Sequence, residues 1–159
     1  GLALTFSSDV ELRFYKSPVV KPTDGSSGQT LQLMQWVEKD PTSNEGGVEQ
    51  EQYGQDIAIL KKIGSAETLP DGVAISDNNV FSTLWKLKSK TEQTAEGERE
   101  YVAIRFRPDG STDLDETEQT PWSLTLVAQN ELEALELPDN FYTVQIDPVT
   151  ARLDVFRPE

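Results

Sequence analysis

Histidine and cysteine are both missing from this chain of 159 residues. Without histidine there is no ordinary general base near neutral pH, no Ser-His-Asp arrangement and no commonest transition-metal ligand. Without cysteine there are no disulfides, thiolate nucleophiles or cysteine-held zinc, an absence that suits a bacterial envelope as well as it suits cytosol. Two kinds of catalyst survive both absences, a carboxylate pair and a Ser-Lys couple, and neither has a local spacing that one sequence would betray. Long apolar runs are lacking too. No stretch approaches the roughly 20 residues that span a bilayer, and no charged start leads into an apolar signal segment. No P-loop, dinucleotide fingerprint, zinc spacing or nucleophile elbow occurs. The expectation is a non-catalytic protein with no cofactor and no metal.

Acid is what the chain has in excess, with 28 Asp and Glu against 14 Lys and Arg and a net charge of −14. Phosphate backbones and anionic lipid surfaces are repelled by such a balance, so nucleic acid is not expected as a partner. The length suits a single domain over 1–159 with one core. Apolar residues make up 36% of the chain, which predicts a folded chain with long polar loops.

Alternation sets out the strands. Val10, Leu12 and Phe14 share one face of a first strand, Val10 to Tyr15, and Leu31 to Val37 forms a second that pairs with it as a hairpin. Lys39 to Gln52 has almost nothing apolar and predicts a surface loop. Ile57 to Ile63 fits a short strand or a helical turn, with strand preferred. Leu69-Pro70-Asp71-Gly72 is a turn into Val73-Ala74-Ile75, and Asn78 to Leu84 is a short helical or irregular excursion. Lys88 to Glu100 is polar and predicts a solvated stretch. Tyr101 to Phe106 and Trp122 to Val127 both alternate cleanly, with Trp122, Leu124 and Leu126 set opposite the preceding strand. A closing hairpin joins Phe141 to Ile146 with Arg152 to Phe156, its inward face built from Tyr142, Val144 and Ile146 and completed by Leu153 and Val155.

Three groups of residues have chemistry to weigh. Asp109, Asp113, Asp115, Glu116 and Glu118 offer oxygen ligands to calcium, but their spacing is not that of an EF-hand, and a solvated loop explains them better. Trp36, Trp85 and Trp122, with Tyr15, Tyr53, Tyr101 and Tyr142, could form a sugar-stacking platform. Trp122 lies in the apolar phase of its strand, which favours core packing there. The pairs Asp24-Gly25, Asp71-Gly72 and Asp109-Gly110 are turn dipeptides, because glycine accepts positive φ.

The order of the short motifs carries a further signal. Val10-Glu11-Leu12-Arg13-Phe14-Tyr15-Lys16 is followed by Leu69-Pro70-Asp71-Gly72-Val73, by Phe106-Arg107-Pro108-Asp109-Gly110-Ser111 and by a terminal hairpin. In this order they resemble the GspH/FimT group of pilin-like proteins, or minor pseudopilins. The ending from Asn140 through Thr150 to Phe156-Arg157-Pro158 is similar to the verrucomicrobial cassette proteins of type D. The resemblance covers Val10 to Pro158. One departure is Ala151, which stands where a glycine commonly follows the turn threonine.

The resemblance implies a structural subunit of a type II secretion pseudopilus or type IV pilus-like assembly. It implies a prepilin leader, an apolar helix anchored in the inner membrane, and a head displayed in the periplasm or outside the cell. Partners would be other pilin-like or pseudopilin subunits, with the membrane reached only through the missing N-terminal helix. No catalytic residue carries over. The chain begins at Gly1 in apolar sequence, and Leu2, Ala3, Leu4 and Phe6 are read as the last turns of that helix. The expected fold is therefore α+β, a pilin-like head of mainly antiparallel β-sheet, two-layer or sandwich-like, packed on the remnant of a truncated helix. The rival reading is a non-catalytic β-sandwich glycan-binding module of a secreted or surface protein.

Overall fold

A computed structural model describes residues 8–18, 23, 26–38, 49–53, 56–95 and 97–158 of the chain. Ten strands form two antiparallel sheets. The first holds β1 (Val10–Tyr15), β2 (Thr30–Glu38), β3 (Glu49–Tyr53), β4 (Asp56–Thr68), β6 (Lys90–Thr94) and β7 (Gly97–Phe106), in the order β3-β4-β2-β1-β7-β6. The second holds β5 (Val73–Ile75), β8 (Trp122–Ala128), β9 (Tyr142–Ile146) and β10 (Leu153–Phe156), in the order β10-β9-β8-β5.

The expectation of an α+β head packed on a helix is corrected. Among the described residues the fold is nearly all β-sheet, and no α-helix is present for a sheet to pack against. The helical content is two short 3-10 turns, Thr83–Lys86 and Gln129–Glu131. Leu2 to Phe6, read as a helix end, lie outside the described residues. The sheets cover each other instead. Phe14, Val102 and Ile104 from the first sheet meet Ile75, Trp122, Leu124 and Ile146 from the second, with Leu84 and Leu114 filling the layer between. Period two dictates this, since Val10, Leu12 and Phe14 stand beside Phe106, Ile104 and Val102 on one face.

The first sheet curls into a half-barrel. In a flat sheet β4 and β6 would lie four strand spacings apart, about 19 Å. Lys62 Nζ on β4 nevertheless stands 3.6 Å from Glu92 Oε1 on β6. The concave face holds a second apolar cluster, Met34, Trp36 and Leu60, next to the alternate residues of β1.

Two contacts clamp the sheets together. The Gln29 side-chain amide accepts from Ile75 N–H at 2.7 Å and donates to Ile75 C=O at 2.9 Å, taking the place of a strand along the edge of β5. Thr112 N–H donates to Pro148 C=O at 3.0 Å, tying the turn after β7 to the turn between β9 and β10. Where β5 ends, hydroxyls continue its ladder: Thr125 N–H donates to Ser82 Oγ at 3.1 Å and Ser123 N–H to Thr83 Oγ1 at 2.7 Å. The irregular segment after β5 is thus a strand partner made of side chains.

Other expectations are corrected as well. The polar stretch Lys88 to Glu100 is solvated as expected, most of its side chains facing water, but its backbone is paired as a hairpin of β6 with the start of β7. Residues 39–48 of the expected loop lie outside the described residues, but Glu49 onward forms β3, paired with β4. β8 is not beside β7. It pairs with β9 and β5, and it faces β7 across the core, because the long link from Phe106 to Trp122 crosses between sheets. The hairpin of β1 with β2, the strand over 57–63 and the hairpin of β9 with β10 are as expected. Gly72 and Gly110 hold φ of 81° and 90°, as Asp-Gly turns require, while Asp24-Gly25 lies outside the described residues.

Candidate functional site

The inward face of the closing hairpin was expected to be buried, and the structure shows otherwise. In the second sheet Trp122, Ile146 and Leu153 stand side by side on one face, as do Leu124, Val144 and Val155, and next to them Leu126 and Tyr142. Burial ends part-way along each row. Trp122, Leu124 and Ile146 are buried and Val144 is half-buried, whereas Tyr142 is 45% exposed, Leu153 57% and Val155 62%. The core cluster contains no residue of β10. The second sheet therefore extends past the core it helps to build, leaving an apolar face without cover. Phe156, on the opposite face of β10, is 49% exposed. Among the described residues β10 is also the open edge of its sheet, whereas β5 at the other edge is closed by Gln29.

A tight turn fixes the geometry of this hairpin. Asp147 Oδ1 accepts from the N–H groups of Val149 and Thr150, each at 2.9 Å, and Ala151 N–H donates to Asp147 C=O at 2.9 Å. These backbone donors, Thr150 first and then Val149, hold the Asp147 carboxyl below its usual range. Ala151 sits at φ 59°, in the left-handed region that glycine adopts freely.

At the other end of β1 lies a cleft of about 460 Å³, lined by Lys16, Ser17, Asp77, Trp85, Thr91 and Arg99 among others. The Trp85 indole N–H donates to Ser76 C=O at 2.9 Å, which fixes the ring. Lys16 Nζ stands 5.7 Å from the ring centroid and pairs with Glu100 Oε1 at 2.9 Å. The hydrogen bond from Lys16, with a smaller one from Ser89, holds the Glu100 carboxyl below its usual range. The other aromatic candidates do not join this ring. Trp36, Trp122, Tyr15 and Tyr101 are buried, Tyr142 belongs to the closing hairpin, and the side chain of Tyr53 lies outside those described.

The acidic stretch does not gather. Asp109 Oδ1 accepts from Ser111 N–H and hydroxyl at 2.9 and 2.6 Å, and Asp115 Oδ1 from Thr117 N–H and hydroxyl at 2.9 and 2.7 Å. Asp113 Oδ1 accepts from Arg105 N–H at 2.9 Å. Asp109 and Asp115 each close their own turn while Asp113 caps the backbone of β7, and among the described residues no three acidic groups form a metal-ligand set. The shifted carboxyls, Glu100, Asp109, Asp115 and Asp147, all lie below their usual range, contrary to what a general acid requires.

Sequence reasoning missed the polar network on the concave face of the first sheet. Arg13, with no exposed surface, donates to Glu11 at 2.8 Å and to Glu92 at 3.4 Å and lies 4.4 Å over the Tyr101 ring. The Tyr15 hydroxyl donates to Glu92 as well, and burial, then this bond, raises the phenol above its usual range. Arg105 pairs with Asp9 over the Trp36 ring. The signal was the alternation that puts Glu11, Arg13 and Tyr15 together on the face of β1 opposite Val10, Leu12 and Phe14.

Compared with family models, curated proteins and solved structures, the chain matches none.

Proposed function

We propose that this chain is the head of a pilin-like structural subunit, displayed outside the inner membrane, which works by packing against other pilin-like subunits and not by catalysis. The observation that carries this reading is the uncovered apolar face of the closing hairpin, Tyr142, Leu153 and Val155, continuous with the core and ending on an open strand edge. Apolar side chains exposed in a contiguous patch favour a protein neighbour. The motif order that resembles minor pseudopilins supplies the kind of neighbour, and the shortage of positive charge argues against nucleic acid.

The absence of cysteine makes the test clean, because a single introduced thiol is the only one in the chain. Val155→Cys, labelled through its thiol with a maleimide–benzophenone and irradiated in the producing cell so that the ketone inserts into a neighbouring C–H bond, is expected to yield an adduct containing a pilin-like subunit. Ser65→Cys, on the exposed side of β4, is expected to yield none. An uncoupled Val155→Cys, or one joined only to proteins outside the filament, defeats the reading. Leu153→Glu added to Val155→Cys should leave the isolated head within about 0.5 kcal/mol of its original stability, since both positions are exposed. Loss of the adduct in that double variant is then a loss of contact and not of folding.

A further inference from the structure

We propose that the cleft at Trp85 is a binding site for a neutral saccharide. Its volume of about 460 Å³ lies within the range of small-molecule sites, roughly 300 to 1,000 Å³, and admits one or two sugar rings. The indole of Trp85 is half-buried against the core and held by its bond to Ser76, so a ligand resting on it meets a ring already fixed in place. Ser17, Thr91, Asp77 and Glu98 line the same cleft as the ring. Such a lining, one aromatic surface among donors and acceptors, matches a sugar, whose C–H face is apolar and whose rim both donates and accepts.

The charges of the cleft select among ligand classes. Lys16 and Arg99 face Asp77, Glu98 and Glu100, leaving one more carboxylate than cations. Both cations are already engaged, Lys16 with Glu100 at 2.9 Å and Arg99 Nη2 with the carbonyls of Lys16 and Gly28 at 2.8 and 3.0 Å. An anion finds no uncommitted positive charge here. Two polar atoms of the lining residues, Ser17 Oγ and Arg99 Nε, are buried without a hydrogen-bond partner. Arg99 Nε, whose guanidinium lies 5.6 Å from the Tyr15 ring centroid, can only donate, so a side-chain shift that opens it to the cleft calls for a partner with a lone pair, which an ammonium group lacks. A hydroxyl group brings one without adding charge. Buried polar atoms left unmatched call for such an explanation.

The test uses the whole chain with cellotetraose, maltotetraose and chitotetraose as probes, and spermine and sulfate as controls, each followed by amide and indole chemical shifts. At millimolar concentration at least one tetraose is expected to move the Trp85 indole N–H together with Ser17, Thr91 and Arg99. Trp85→Phe keeps an aromatic ring in the core but loses the bond to Ser76 and the larger face, and is expected to weaken binding by about tenfold. Ser17→Ala, on a loop, should weaken it while leaving the melting temperature unchanged. No shift with any tetraose overturns the proposal. So do shifts confined to other surfaces, or binding of spermine or sulfate alone. Neither variant touches β10, so the cross-link at residue 155 persists in both and the two readings fail separately.

Discussion

At Arg13 a full positive charge is held away from water by three neighbours, Glu11, Glu92 and the face of Tyr101. Remove the guanidinium and two carboxylates remain in a space shaped for a cation. Arg13→Ala is therefore expected to cost about 3 kcal/mol or more in urea unfolding, the range for breaking one side of a buried pair. Lys16→Ala, which breaks a partly exposed pair with Glu100, should cost under about 1 kcal/mol in the same experiment. Equal losses at the two positions would mean that the concave face is wet. The sequence displays Glu11 and Arg13 two residues apart, but nothing in it states that the sheet carrying them curls. Glu92, arriving from β6, helps to turn that face of β1 into an interior.

Among the elements, the strands with apolar alternation were legible and the polar ones were not. β1, β2, β7 and β8 carry a residue pattern that only a half-buried ribbon explains. Apart from Tyr53, β3 and β6 are built from Glu, Gln, Thr and Lys, and they are strands because a neighbouring backbone offers its edge. Propensity has no hold on such pairing. The closing hairpin was legible in outline, yet its burial was not, since alternation shows which side chains share a face and not what stands opposite. Its turn allows a direct check. Ala151 at φ 59° bears a cost that glycine avoids, so Ala151→Gly should raise stability by about 1 kcal/mol in thermal or urea unfolding. A loss on this substitution would contradict the left-handed turn.

Across the whole molecule, a single layer of side chains joins the sheets. Ile104, fully buried, packs among Trp122, Leu124 and Leu84 from the other side of that layer. Ile104→Ala should cost about 2 to 5 kcal/mol, and circular dichroism and tryptophan fluorescence should report one coincident transition. Separate transitions would mean that each sheet has its own core. The partner of the core was not legible, because the apolar start of the chain suggested a helix, whereas among the described residues the first sheet meets the second.

The bare end of the second sheet makes the head a gauge of its own occupancy. A neighbour seated over Tyr142, Leu153 and Val155 would lengthen the hydrophobic layer instead of merely touching it, so docking and folding would draw on the same contacts. Any ligand of the folded state alone adds about 2.7 kcal/mol of stability at a hundred times its dissociation constant. The melting point of the head would then rise with each true neighbour offered to it.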